Sequence, residues 1–345
     1  MKKHLRMLIA AGVVIIAGAC IAFLMPRERP VFFESRKTGD MSEIEVDGIP
    51  NLHEKTILFE AESGGKGALV ISEADGMPYM SSSIRITENE LSAEHTEMET
   101  ISDYSAAHGL TIKGRITIFI RQKADRKAEI TLKTDNGEYS TEIPYYGRGG
   151  VVRAKGEKGT FSKARLRVEC PAYQEKIRAY GDSYFDKWVP YAVQDGMTGV
   201  MWNGYSGRTS AQALASFEED LKYGKPEKIL WCMGMNDPDE GDSVNGDWLK
   251  AYDAVKQVCK EKGIEFIPAT IPNVPRRDHR AKNRIIRESG YRYIDISKAV
   301  GADERAEWDE DLLWPDQTHP SEKGSMVIAE TVLDALKTPA HSNTD

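Results

Sequence analysis

Lys176-Ile177-Arg178-Ala179-Tyr180-Gly181-Asp182-Ser183 is the stretch on which the fold turns. A short run able to lie in a sheet ends at Gly181, which permits a tight turn out of the sheet, and Ser183 follows directly. The pattern recurs downstream. The strand candidates Thr198–Trp202 and Lys228–Met233 run into the Gly204–Gly207 turn and into Gly234-Met235-Asn236-Asp237. Glu265–Thr270 and Arg292–Asp295 complete a set of five short strands, the first of them Ile177–Tyr180. Between them Leu214, Phe217 and Leu221 recur at helical spacing, as do Trp248, Ala251, Val255, Val258 and Cys259. A last helix from about Ser321 to Leu336 turns Val332, Leu333 and Leu336 inward. This alternation predicts an α/β fold, a doubly wound parallel sheet with helices on both faces. Ligands bind beyond the carboxyl ends of such strands, so three separate motifs converge on one edge.

Acyl transfer by a hydroxyl needs a base, an acid that orients the base, and donors for the developing oxyanion. Ser183 is the candidate nucleophile. Asp316-Gln317-Thr318-His319 places a carboxylate and an imidazole three residues apart, so that one turn can bring them together. Gly207 can offer an unhindered backbone N–H and Asn236 a neutral side-chain donor. Ser206 is the rival serine in a G-x-S-x-G-like run, but Arg208 stands where the second glycine belongs. The bland readings are an ordinary strand-to-loop turn at Ser183, the start of a helix at Gly207, an Asx turn at Asn236 and a structural histidine at position 319. Asp237 is expected to shape its loop. His279, the only other histidine between Lys176 and Leu336, lies in the polar loop Pro272–His279, expected to rim the cleft and touch substrate. Trp202 and Trp231 are expected in the core, Trp188 and Trp314 as sugar-stacking or acyl-pocket walls.

Taken in order, Gly181-Asp182-Ser183, Ser206-Gly207, Gly234–Asp237 and Asp316–His319 resemble the four blocks of the SGNH hydrolases, also called GDSL esterases. The resemblance covers roughly residues 176–336. It implies a carboxylic ester hydrolase with Ser183, His319 and Asp316 as its triad. It further implies an oxyanion hole formed by the N–H groups of Ser183 and Gly207 with Asn236, and requires no metal or organic cofactor. Many relatives deacetylate polysaccharides, so the expected substrate is an ester-bearing glycan or small molecule. The alternatives are a cell-envelope O-acetyltransferase with the same triad and, from another class, a non-catalytic carbohydrate-binding protein.

The remainder of the 345 residues sets the context. A net charge of −8 with no basic cluster argues against nucleic acid as a partner. Met7–Met25 is an unbroken apolar run of 19 residues behind Lys2, Lys3 and Arg6, long enough for an uncleaved signal-anchor, which would place the rest outside the cytoplasmic membrane. Ala17-Gly18-Ala19-Cys20 also resembles a lipoprotein processing site, although Ala17 replaces the usual leucine and the apolar run continues past Cys20. Residues 1–29 are therefore read as a membrane segment, 30–55 as a stalk and 56–171 as a β-sandwich. Residues 176–338 are the hydrolase domain and 339–345 a tail. Strand alternation in Lys163–Cys170 and the Asp135-Asn136-Gly137 turn support the sandwich. Cys170, Cys232 and Cys259 show no metal-type spacing and are expected as buried thiols, with a disulfide between two of them as the alternative.

Overall fold

Alternation between apolar and polar side chains builds the N-terminal half. In the computed structural model, which describes residues 31–337 apart from 51, 66, 75–79, 98, 146–148, 158–160, 241–242, 304–307 and 310, the strand Phe161–Cys170 buries Ala164, Leu166, Val168 and Cys170 on one face. The half contains β1 (Val31–Lys37), β2 (Glu43–Ile49), β3 (Lys55–Gly64), β4 (Ala68–Ala74), β5 (Met80–Ile86) and β6 (Glu90–Glu97). It continues with β7 (Glu99–Ala107), β8 (Lys113–Gln122), β9 (Lys127–Thr134), β10 (Gly137–Pro144), β11 (Gly150–Glu157) and β12 (Phe161–Cys170). Two antiparallel six-stranded sheets result, of order β1-β12-β3-β8-β9-β10 and β2-β11-β4-β5-β6-β7. Registers such as Phe59↔Ile118 and Ile84↔Ala93 stack apolar partners, and both sheets contribute to one core.

Residues 30–55 are not a stalk. β1 enters the first sheet against β12 and β2 enters the second against β11, burying Ile44, Val46 and Ile49. The seven residues Glu43–Ile49 alternate over too short a span, between Gly and charged residues, to stand out before their partners are known. Residues 1–29 and 339–345 lie outside the described residues. Among the described residues no helix is long and apolar enough to cross a membrane.

One buried ion pair sits inside the sandwich. Lys55 Nζ lies 2.7 Å from Glu73 Oε2 with both side chains fully buried, and Tyr145 Oη donates to Glu73 Oε1 at 2.9 Å. Gln122 Nε2 donates to the same Oε1.

The second half holds β13 (Ile177–Gly181), β14 (Val200–Gly204), β15 (Lys228–Cys232) and β16 (Glu265–Pro268), all parallel, in the order β14-β13-β15-β16. The expected fifth strand is reduced to one parallel bridge, Ala269↔Ile294. The helices are α1 (Ser183–Gln194), α2 (Ser210–Asp220), α3 (Gly246–Lys262), α4 (Arg280–Glu288), α5 (Ile296–Ala299) and α6 (Glu322–Lys337). Successive strand residues face opposite ways. Ala179, Trp202, Leu230 and Ile267 pack with Phe185, Trp188 and Val189 of α1 and Ile328 and Val332 of α6. Tyr180, Met201, Ile229, Trp231 and Phe266 pack instead with Phe217 of α2 and Trp248, Tyr252 and Val255 of α3. The parallel sheet is thus covered on both sides. α1 leaves β13 on one face and α2 leaves the adjacent β14 on the other, which opens a crevice at their carboxyl ends.

The two halves belong to one compact unit. Leu52 bridges to Asn203 at the end of β14, and His53 N–H donates to Trp202 O at 3.0 Å. His53 Nε2 reaches Asp186 Oδ1 of α1 at 3.1 Å and Gly204 O at 3.3 Å. The joint therefore lies directly behind the helix that starts at Ser183.

Candidate active site

Gly181 ends β13 against Phe185. A Cβ there would lie 2.2 Å from Phe185 Cβ, so only glycine lets α1 begin this close to the strand. Asp182 caps α1, accepting from Tyr184 N–H at 3.0 Å. Ser183 is the first helical residue, and among the described residues its N–H has no partner, as expected at a helix start.

The last block folds into a closed turn. Asp316 Oδ1 accepts from the backbone N–H groups of Thr318 (2.8 Å) and His319 (2.9 Å), with Gln317 at φ 57° between them. Trp314 N–H donates to His319 O at 2.8 Å, and Tyr184 Oη donates to Thr318 O. This turn aims the imidazole. His319 Nδ1 lies 2.7 Å from Asp316 Oδ2, and His319 Nε2 lies 2.9 Å from Ser183 Oγ. Partial burial pushes the Asp316 carboxyl upward, but hydrogen bonds from the His319 N–H and ring and from the Thr318 N–H outweigh it, and the net shift is downward. A carboxylate, an imidazole and a hydroxyl thus stand in one hydrogen-bonded line.

β13 pairs with β14 and β15 in parallel, so the segments that follow their carboxyl ends leave one edge of the sheet, and they carry three candidate donors: the N–H of Ser183, the N–H of Gly207 and the Asn236 amide. Gly207 has φ 77°, a left-handed conformation that glycine adopts without strain, and its N–H has no partner among the described residues. Asn236 Nδ2 donates one hydrogen to Arg208 O at 3.0 Å, leaving its second hydrogen for a ligand. Arg277 Nη1 donates to Asn236 Oδ1 at 3.0 Å and to Met235 O at 2.9 Å. The amide therefore cannot turn its oxygen into the site without losing a charged donor. Asp237 fastens the same loop, accepting from Ser210 N–H (3.0 Å) and Ser210 Oγ (2.8 Å) at the start of α2.

Arg208 and Arg277 were not singled out as site residues by sequence. Arg208 is fully buried, and its Nη1 donates to Asn203 O (3.0 Å) and Oδ1 (2.8 Å), locking the end of β14 to the turn that carries Gly207. An arginine directly after the glycine was the available signal. Arg277 is separated from Asn236 by a helix and a strand, α3 and β16, and no local pattern links the two.

Two expected substrate contacts are placed elsewhere. His279 is 0 % exposed rather than on a rim, with Nδ1 3.2 Å from Lys282 Nζ, which also pairs with buried Asp239 at 2.9 Å. Burial, then the Lys282 and Arg277 charges, push its imidazole down to about 3, so it is neutral. Trp188 is in the core, edge-on to Phe185 and Trp202, because the inner face of α1 meets the sheet there. Trp314, by contrast, is 54 % exposed and lines the same cleft as His319 and Asp316. Trp202 and Trp231 are buried in strands, and the three described cysteines are free.

No protein-family model and no curated protein matches the chain. Solved structures do. A GDSL-like lipase from Bacteroides thetaiotaomicron is 21% identical over 48% of this chain and 90% of its own, with a TM-score of 0.38. The lipase/acylhydrolase from Enterococcus faecalis is 20% identical over 49% of this chain and 100% of its own, with a TM-score of 0.38. The neighbours are GDSL-type acylhydrolases and esterases. A catalytic mutant of an acetylxylan esterase from Geobacillus stearothermophilus is 21% identical over 48% of this chain and 95% of its own, with a TM-score of 0.39. What this chain can do chemically is set by its own side-chain geometry. Among the described residues no cluster of His, Cys, Asp or Glu has metal-binding geometry.

Proposed function

We propose that this protein is a serine-dependent carboxylic ester hydrolase that deacetylates a carbohydrate outside the cytoplasmic membrane. The observation that carries the catalytic part is the line Asp316 Oδ2, His319 Nδ1, His319 Nε2, Ser183 Oγ, with gaps of 2.7 and 2.9 Å. Both ring nitrogens are committed in the directions the chemistry needs. His319 takes the proton as Ser183 Oγ attacks the ester carbonyl. Asp316 holds the tautomer and stabilises the imidazolium. The N–H groups of Ser183 and Gly207 and the free hydrogen of Asn236 Nδ2 receive the oxyanion. His319 then returns the proton to the departing alkoxide, and water resolves the acyl-enzyme by the same steps in reverse.

The charge-free run Met7–Met25 supports an extracytoplasmic site. An exposed tryptophan beside His319 supports a sugar. The test is hydrolysis of aryl acetates, longer acyl esters and acetylated glycans by the parent and by Ser183→Ala and His319→Ala. The parent is expected to be active, preferring acetyl, and both variants inactive. Activity that survives both substitutions would place the chemistry elsewhere.

A further inference from the structure

The β-sandwich forms one wall of a cleft that reaches the triad. Asp125, Arg126 and Pro144 of the sandwich face Trp314, Asp316 and His319 across a cavity of about 680 Å³. That volume falls within the roughly 300–1,000 Å³ typical of small-molecule sites. In the proposed reaction His319 must protonate the departing alcohol, so the alcohol portion of the ester lies on the His319 side.

The wall has a defined shape. Arg126 is held at φ 65°, its N–H donating to Lys123 O at 3.2 Å and its carbonyl accepting from Tyr145 N–H at 3.0 Å. It also carries a carboxylate: Asp125 lines the cleft, and among the described residues its buried Oδ1 has no hydrogen-bond partner. Glu142 on the same wall is already occupied, 2.8 Å from Lys123 Nζ and 3.0 Å from Lys127 Nζ. A carboxylate acceptor calls for hydroxyl donors, and the open face of Trp314 suits the C–H face of a pyranose. Asp125, Glu142, Asp316 and Glu322 line the cleft together with Arg126, Lys127 and Lys187, a near balance of charge that suits a neutral ligand.

Resting on the esterase reading, we infer that the β-sandwich completes the alcohol-side subsite, where a neutral oligosaccharide lies between Trp314 and the Asp125–Arg126 turn. The sandwich is then neither a spacer nor a separate binding module.

The test compares kcat/KM on O-acetylated xylo- and manno-oligosaccharides with kcat/KM on 4-nitrophenyl acetate, for the full chain and for Trp314→Ala, Asp125→Ala and Asp125→Asn. The oligosaccharide-to-aryl ratio is expected to fall about tenfold or more in Trp314→Ala and Asp125→Ala and less in Asp125→Asn, which keeps an acceptor. Thermal unfolding identifies any variant lost to misfolding, and exposed Trp314 keeps the test open if the Asp125 variants fail. An unchanged ratio overturns the subsite, and a fall confined to Trp314→Ala overturns the sandwich's part in it. A parent that cleaves aryl acetate but neither oligosaccharide overturns the subsite while the esterase reading stands. A parent that cleaves neither class of substrate removes both.

Discussion

Arg277 holds Asn236 by its side-chain oxygen, 3.0 Å from Nη1, while Asn236 Nδ2 is engaged by Arg208 O at 3.0 Å. The amide is gripped at both ends, so its remaining hydrogen has one direction in which to point. Removing an oxyanion donor outright typically costs about 2.7–4 kcal/mol of transition-state stabilisation, and Asn236→Ala is expected to lose that much while remaining folded. Arg277→Ala releases only one end. A fall in kcat of about tenfold, smaller than in Asn236→Ala and with KM little changed, is expected from steady-state kinetics. Equal losses in the two variants would mean that the arginine does more than orient the amide.

Gly181 and Gly207 flank the same site but are required for different reasons. A Cβ at Gly181 collides with Phe185 at 2.2 Å, whereas nothing lies within 4 Å of a Cβ at Gly207, whose φ is 77°. Gly181→Ala is therefore expected to destabilise by about 3 kcal/mol or more through overpacking. Gly207→Ala should cost only about 1–2 kcal/mol, the backbone penalty of the left-handed region. Urea denaturation of both variants measures the difference, and a reversed order would contradict the packing described.

Asp182 makes stability depend on pH. Burial raises its carboxyl to about 7, with hydrogen bonds from Tyr184 and Met235 N–H opposing and the Asp186 and Asp237 charges adding to the rise. Because the folded pKa lies above the ordinary value of 3.8, the folded state binds a proton that the unfolded chain has released. Stability from this group is complete below about pH 4 and is lost as pH rises through about 7. Asp182→Asn keeps an acceptor for Tyr184 N–H and removes the titration. Its stability should fall less than the parent's between pH 5 and pH 7.5, read by denaturant midpoints at the two values. Parallel curves would exclude Asp182 as the source.

Lys55 and Glu73 are both fully buried, so each depends on the other's charge. Lys55→Met leaves the carboxylate uncompensated and is expected to cost about 3–5 kcal/mol. Adding Glu73→Gln to Lys55→Met should recover part of the loss, since the stranded charge is then gone. A double variant no more stable than the single one would show that packing, not charge, sets the cost.

Sequence and structure divide along a physical line. Strand, turn and helix signals are local, and a side chain's chemistry is its own. Gly181-Asp182-Ser183, Gly207, Asn236 and Asp316-Gln317-Thr318-His319 were legible because each block sits where a strand ends or a helix begins. The parallel sheet, four of its five expected strands and the inward faces of α2, α3 and α6 were legible for the same reason. What spacing cannot carry is pairing between distant segments. Glu43–Ile49 looked like a stalk until β11 lay beside it, and Trp188 and His279 were offered to substrate until the sheet and the Lys282–Asp239 pair covered them. Arg277 became the keeper of Asn236 only when two loops 41 residues apart met. By itself the sequence determined which residues can do the chemistry, because reactivity and turn-forming capacity belong to single residues and their neighbours. Only the tertiary structure decided which of them meet, which are buried and which domain walls the cleft, because burial and long-range hydrogen bonding are properties of the packed chain.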